Sequence, residues 1–285
     1  MAEKFDLHAL RKYLTQRLAL GLVDMACHMP TLAISRPVTA MGLRFPSPLG
    51  IAAGFDHSGR LGRRVAALGF GFNEIGSLTF DQVASLAPAH HGDARLGINL
   101  TLDASQSTAE ACSMLSNGWP HADYLVLNLI GPASAPLLQQ DARLRQLLTA
   151  LRQQQQHLNQ AGNRRVPLVA KLRCLPAQIP FSLAGLLLEL GFDGLLVAHD
   201  PGPPATRQRY HDWQDQRQQA QACEQIEHLH SFCGGGLTLM SVGGIQSAAD
   251  LQGRLNAGAQ LVQVHAALLR QGPWLARRLL RAPWK

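Results

Sequence analysis

The chain of 285 residues is poor in charge, with 16% Asp, Glu, Lys and Arg, and poorer in acid than in base, 19 against 26, for a net charge of +7. With 46% hydrophobic residues this composition describes a soluble globular protein rather than a disordered one. No uninterrupted apolar run reaches the length of a transmembrane helix, which excludes a helical span. The opening residues Met1 to Asp6 carry Glu3 and Asp6 and lack the basic and apolar regions of a secretory signal, so a cytoplasmic location is expected. Cys27, Cys112, Cys174, Cys223 and Cys233 are odd in number and include no C-x-x-C pair, which argues against a disulfide framework and a zinc ribbon and leaves most of them as buried thiols. No nucleic-acid motif accompanies the basic excess. Its late cluster of Arg270, Arg277, Arg278, Arg281 and Lys285 reads as a solvated helix face, and no nucleic-acid partner is expected. Repeats of solenoid type are also lacking.

What is present is a rhythm. After the first 45 residues, short apolar runs beginning near Leu49, Gly71, Leu96, Tyr124, Leu168, Gly194, Leu237 and Leu261 alternate with helical patterns. The helices are expected at 61–68, 107–117, 142–161, 181–190, 214–231, 248–257 and 268–280, and Gly69, Gly118, Gly162, Gly191 and Gly258 stop five of them. Parallel strands joined by crossover helices give this order, and eight of them predict a closed (β/α)8 TIM barrel, an α/β fold, over residues 41–285. Residues 1–40 form a short helical extension. There Leu7, Leu10, Leu14, Leu18, Leu22 and Met25 recur every three or four residues, with Arg11, Lys12 and Arg17 at the polar boundary. This amphipathic stripe is expected to dock on the barrel, and a peripheral contact with the inner face of a membrane is its other use. Pro201 to Pro204 and the glutamine-rich stretch from Gln214 mark a loop and an exposed helix.

Barrel chemistry sits at the carboxyl ends of the strands. Here those ends read Phe55-Asp56-His57, Gly76-Ser77, Asn99, Asn128, Lys171, His199-Asp200, Gly243-Gly244 and His265. His57, His199 and His265, with Asp56 and Asp200, share one predicted face, a donor set suited to a metal but without H-x-H or H-E-x-x-H spacing; no metal ligand is assigned on this basis.

The stretch from Met41 to Asp56, Glu74-Ile75-Gly76-Ser77-Leu78-Thr79, Leu96-Gly97-Ile98-Asn99, Val169-Ala170-Lys171, Ser241-Val242-Gly243-Gly244-Ile245 and Leu261-Val262-Gln263-Val264 together resemble the dihydroorotate dehydrogenases, in particular the membrane-associated, quinone-using class. The likeness runs in order over most of residues 41–273. It implies an oxidoreductase of pyrimidine biosynthesis carrying FMN, with Ala53 and Gly54 near the flavin ring, Ser77, Asn99 and Asn128 at its polar edge, Lys171 neutralising the reduced ring, and Gly244 cradling the phosphate. It also implies a small-molecule substrate and a quinone as partners.

The departures from the family pattern lie on the substrate side. Gly131 stands where the family has its proton-abstracting serine, Ala133 at a substrate-binding asparagine, His57 at the substrate lysine and His199-Asp200 at an Asn-Thr pair. The Gly-Gly-Leu-Ser-Gly lid motif and an asparagine-rich loop are missing, and His265-Ala266-Ala267 replaces the usual tyrosine and hydroxyl residue at the phosphate. The expectation is a divergent FMN oxidoreductase in which His57 or His199 supplies the acid and base. A non-catalytic barrel retained as a binding or regulatory module is the alternative, and a metal-dependent barrel using the strand-end histidines is a minor one.

Overall fold

The computed structural model of the chain describes residues 7–29, 35–175, 178–199 and 207–281. Asp200 and the expected loop at Pro201 to Pro204 therefore lie outside the described residues, as does Lys285. The chain opens with helix α1 (Leu7–Cys27) and a hairpin of β1 (Val38–Ala40) and β2 (Leu43–Phe45). The barrel strands follow as β3 (Leu49–Asp56), β4 (Phe72–Leu78), β5 (Arg95–Thr101), β6 (Tyr124–Asn128), β7 (Leu168–Arg173), β8 (Gly194–Ala198), β9 (Thr238–Val242) and β10 (Leu261–Val264). Every neighbour is parallel and β10 closes on β3, so the barrel is complete. The strands begin within one residue of the positions at which the apolar runs place them.

Around the barrel run α2 (Phe80–Ala84), α3 (Thr108–Gly118), α4 (Asp141–Ala161), α5 (Phe181–Glu189), α6 (Arg207–Asp212), α7 (Gln216–Cys233), α8 (Ala248–Asn256), α9 (Ala266–Gln271) and α10 (Leu275–Arg281). Two expectations are corrected. The segment 62–68 is a 3-10 helix, its first N–H groups held by the buried Asp56 carboxylate, which accepts from Leu61 and Gly62 at 2.9 and 3.3 Å. The single helix expected over 268–280 is two, because Pro273 lacks an N–H and Gly272 sits at φ +76°. The hairpin and the two short helices α2 and α6 were not legible, being too short to show a period.

Inside the barrel, side chains alternate with period two. At the closed end Phe45 from β2 meets Phe72 and Tyr124 edge-on, with ring centroids 5.6 and 6.2 Å away. Gly50 and Gly97 make room for these rings, since a Cβ at either position would lie within 2.5 Å of Phe72 or Tyr124 atoms. Val126, Val169, Leu196, Met240 and Leu261 complete this apolar plug. The next inward residues are polar. Glu74 is fully buried and accepts from Gln263 Nε2 at 2.5 Å, Asn99 Nδ2 at 2.8 Å and the Tyr124 hydroxyl at 3.4 Å. Burial and the neighbouring Glu74 charge hold the Tyr124 phenol well above its ordinary pKa, so it stays a neutral donor.

Helix α1 docks, but not by the stripe the periodicity selects. Val23, Ala26 and Cys27 are buried and Ala19 and Leu20 pack against the same cluster, whereas Leu14, Leu18, Leu22 and Met25 are half or more exposed. Polar anchors set this roll. Asp24 binds Arg60 at 2.9 Å and Arg64 at 2.8 Å, and the Gln16 amide donates to the Gly54 carbonyl at the end of β3. The cysteines are free; Cys27, Cys174 and Cys233 are buried, Cys112 and Cys223 only partly so, and burial pushes the Cys27 and Cys174 thiols up to about 12.

Candidate active site

The open end of the barrel holds a cavity of about 1860 Å³, walled by the ends of β3, β4, β6, β7, β9 and β10, the turn between α6 and α7, and Thr15 and Gln16 of α1. The period of two raises particular residues to this level. Asn128 follows Tyr124 and Val126 up β6, Lys171 follows Val169 up β7, and the two are register partners. Asn128 Nδ2 donates to the Ser77 hydroxyl at 2.7 Å, and its Oδ1 accepts from the Ile130 N–H at 3.0 Å, which fixes the amide. Ala53, Gly54, Ser77, Asn128, Lys171 and Gly244 thus share one cavity. Asn99 does not reach its wall. It lies fully buried one layer below, donating to Glu74, with its own Oδ1 unpaired.

Lys171 is the electrostatic centre of the site. It is buried and faces the cavity, and its ammonium forms no hydrogen bond or ion pair within 4 Å among the described residues. Burial lowers its pKa, and the Glu74 charge beneath it opposes that shift. Arg173 and Arg270 also line the cavity, and among the described residues no aspartate or glutamate does. A site with three cations and no carboxylate on its wall suits an anionic or electron-rich ligand.

The histidines are dispersed. His57 is exposed, 3.3 Å from Gln82, and is not part of the cavity wall. His199 is buried behind the β8–β9 wall, with Nδ1 2.7 Å from Gln225 Oε1 and Nε2 3.0 Å from the Ser241 hydroxyl; burial first, and then the Arg254 charge, lower its pKa to about 3. Neither lines the cavity. His265 does line the wall, beside Gly54 and edge-on to Phe55. The three-histidine metal arrangement does not form, and among the described residues no three His, Cys, Asp or Glu side chains converge as a metal site. Ser134 offers no replacement hydroxyl at residue 131. It is buried away from the cavity, held between the carbonyls of Leu102 and Asn128 at 2.5 and 2.9 Å.

FMN fits one half of this site. Ser77, Asn128 and Lys171 form a polar edge beside the small residues Ala53 and Gly54, which leave room for a ring at the wall. The other half does not fit. Gly244 has its cradle occupied by the protein itself, since a Cβ there would fall 2.1 Å from Cε3 of Trp213. Trp213 and Gln263 on the cavity wall, and Glu74 beneath it, are positions that pattern reading missed. The sign for Trp213 was a large aromatic set in the polar run His211-Asp212-Trp213-Gln214-Asp215, which gives it no face of its own to cover. For Glu74 it was an acid inside an apolar strand.

Known proteins agree with this geometry. The family model described as dihydroorotate dehydrogenase matches residues 216–282. The dihydroorotate dehydrogenase (quinone) of Cellvibrio japonicus is 30% identical over 84% of this chain and 83% of its own length, and that of Verminephrobacter eiseniae is 32% identical over 87% and 83%. The protein of the same name from Chromobacterium violaceum is 31% identical over 98% of this chain and 94% of its own. Among solved structures, an Eimeria tenella DHODH in complex with ferulenol superposes with a TM-score of 0.72 at 23% identity, covering 94% of this chain and 89% of that one, a likeness that carries the fold. Strand order, cavity position and these identities over nearly the whole length place the chain in the dihydroorotate dehydrogenase family.

Proposed function

We propose that the protein is an oxidoreductase of dihydroorotate dehydrogenase type that holds a flavin ring against Ser77, Asn128 and Lys171 and delivers electrons to a quinone. The observation that carries the reading is the buried Lys171, whose ammonium has no partner among the described residues, at a cavity wall on which none of them is a carboxylate. A bound flavin would supply the two-electron acceptor. Lys171 would stabilise negative charge at the ring's polar edge, a preorganised cation being worth most where water is excluded. Asn128, fixed by Ser77 and Ile130, would orient that edge. Gly131 leaves no proton acceptor at its position, and His265 is the histidine on the wall nearest Gly54. His57 standing outside the cavity and Ala133 offering no amide support a substrate other than dihydroorotate.

Thr15 and Gln16 border the cavity from α1, and the exposed Leu14, Leu18, Leu22 and Met25 lie on the same helix. This apolar face beside the cavity mouth supports a peripheral contact with lipid from which a quinone enters. Among the described residues no helix is long and apolar enough to cross a membrane. One titration tests the reading: flavin is added to purified protein and followed by its visible spectrum, with and without quinone-bearing vesicles. Stoichiometric uptake, reoxidation of the reduced protein by the vesicles, and loss of retention of at least about tenfold in Lys171→Met are expected. A protein that stays colourless with added flavin overturns it.

A further inference from the structure

Where β9 ends, Gly243 and Gly244 take φ +114° and +79° in succession. Glycines in a turn let the backbone approach a ligand closely, and a turn at a strand end is where N–H groups can gather around an anion. Here Trp213 stands against the turn. A Cβ on Gly244 would lie 2.1, 2.4 and 2.7 Å from Cε3, Cδ2 and Cζ3 of Trp213, so the indole occupies the space beside this glycine. The contact is tied from behind, because Gln219 Nε2 donates to the Trp213 carbonyl at 2.8 Å and to the Gly244 carbonyl at 2.7 Å.

Arg254 of α8 lies beside this junction and is fully buried. Its guanidinium carbon is 5.7 Å from the Trp213 ring centroid, and Nη2 reaches Gln219 Oε1 at 3.1 Å and the Gly243 carbonyl at 3.4 Å. Nε and Nη1 have no hydrogen-bond partner among the described residues. A buried cation with two unused donors is costly unless something negative or electron-rich faces it, and here the indole does so. An anion entering at Gly244 would have to displace this ring.

We propose that Trp213 is a plug closing the phosphate end of the cavity, so that the site takes a flavin lacking the terminal phosphate, of the riboflavin class, in preference to FMN. The inference rests on the flavin reading above and adds the selection among flavins. The plug stands on an anion seat that the fold keeps, Gly243-Gly244 with Arg254 behind it. Removing the indole therefore admits phosphate.

The test is an equilibrium titration of riboflavin and of FMN into the full chain, into Trp213→Ala and into Trp213→Phe, read by quenching of flavin fluorescence. The intact protein is expected to bind riboflavin at least about tenfold more tightly than FMN. Trp213→Ala is expected to gain about tenfold for FMN while riboflavin stays within about threefold, and Trp213→Phe, which keeps an aromatic ring at the seat, to remain selective for riboflavin. Adding Arg254→Met to Trp213→Ala should abolish the gain. FMN binding as tightly as riboflavin to the intact protein, or no gain for FMN in Trp213→Ala, overturns the plug and leaves the flavin reading standing. Failure of both flavins to bind either protein overturns the two together.

Discussion

The two sides of the cavity each carry a glycine where the family pattern leads one to look for function, and the two glycines are there for opposite reasons. On the β6 side Gly131 has ordinary backbone angles, φ −75° and ψ 160°, and a Cβ there would meet nothing within 4 Å. On the β9 side Gly244 has φ +79°, and a Cβ there would run into Trp213. At residue 131 a side chain is missing from a space that would hold one. At residue 244 a side chain is forbidden, because the backbone angle and the indole both exclude it. The β6 side is therefore open to chemical change while the β9 side is committed, its shape fixed by a tryptophan, a glutamine and a buried arginine that hold one another.

The largest effect expected from that difference is at the committed side. Gly244→Ala combines a left-handed conformation, costing roughly 1–2 kcal/mol for a residue with a Cβ, with displacement of a packed indole, for a total of about 3 kcal/mol. Urea unfolding measures it. A loss below about 1 kcal/mol would mean that Trp213 leaves Gly244 freely, and the contrast between the two sides would dissolve.

The second effect is a pH dependence lodged behind the same side. His199 has a pKa of about 3 in the folded chain against an ordinary 6.5, chiefly through burial and then through Arg254. Between those values the unfolded chain carries a proton on this ring that the folded chain does not. Its stabilising contribution is thus intact above pH 6.5 and lost as the pH falls toward 3, at about 1.4 kcal/mol per unit. From pH 7 to pH 5 the intact protein should lose roughly 2 kcal/mol from this source, and His199→Gln, which keeps amide partners for Gln225 and Ser241, should lose that much less over the same interval. Equal losses in the two proteins would show that the ring titrates freely and that the β8–β9 wall is loosely packed.

How far the sequence carries follows from the same particulars. The barrel was legible because strands buried on both faces are unbroken apolar runs, and their order alone dictates parallel closure. Ala53, Gly54, Ser77, Asn128, Lys171 and Gly244 were legible as one site because strand ends share one rim. The roll of α1 was not, since Asp24 with Arg60 and Arg64 is an ion pair across 36 and 40 residues that no local period contains. Nor were the positions of His57 and His199. Residues one step past a strand end point to the cavity, to solvent or back between helices according to loop geometry, and only His265 of the three turns inward. Trp213 escaped because what it packs on is a backbone, and a glycine leaves no hydropathic trace of its partner.

The smallest expected effect is at the open side and bears most directly on function. Gly131→Ser places a hydroxyl on the cavity wall with no clash and no backbone strain, so its effect on stability should stay within about 0.5 kcal/mol. Dihydroorotate turnover should nevertheless not appear, because a hydroxyl at 131 restores one group of a substrate site whose other positions are His57, facing solvent, and Ala133, without an amide. Flavin reduction measured anaerobically with dihydroorotate in this variant decides the matter. Reduction at a rate well above that of the intact protein would mean that the β6 side still presents the rest of an orotate site, and that residue 131 alone separates this chain from its relatives. No reduction, with a flavin still bound and the melting temperature unchanged, would place the difference in the whole substrate side and direct the search toward an anionic ligand of another shape, matched to Lys171, Arg173 and Arg270.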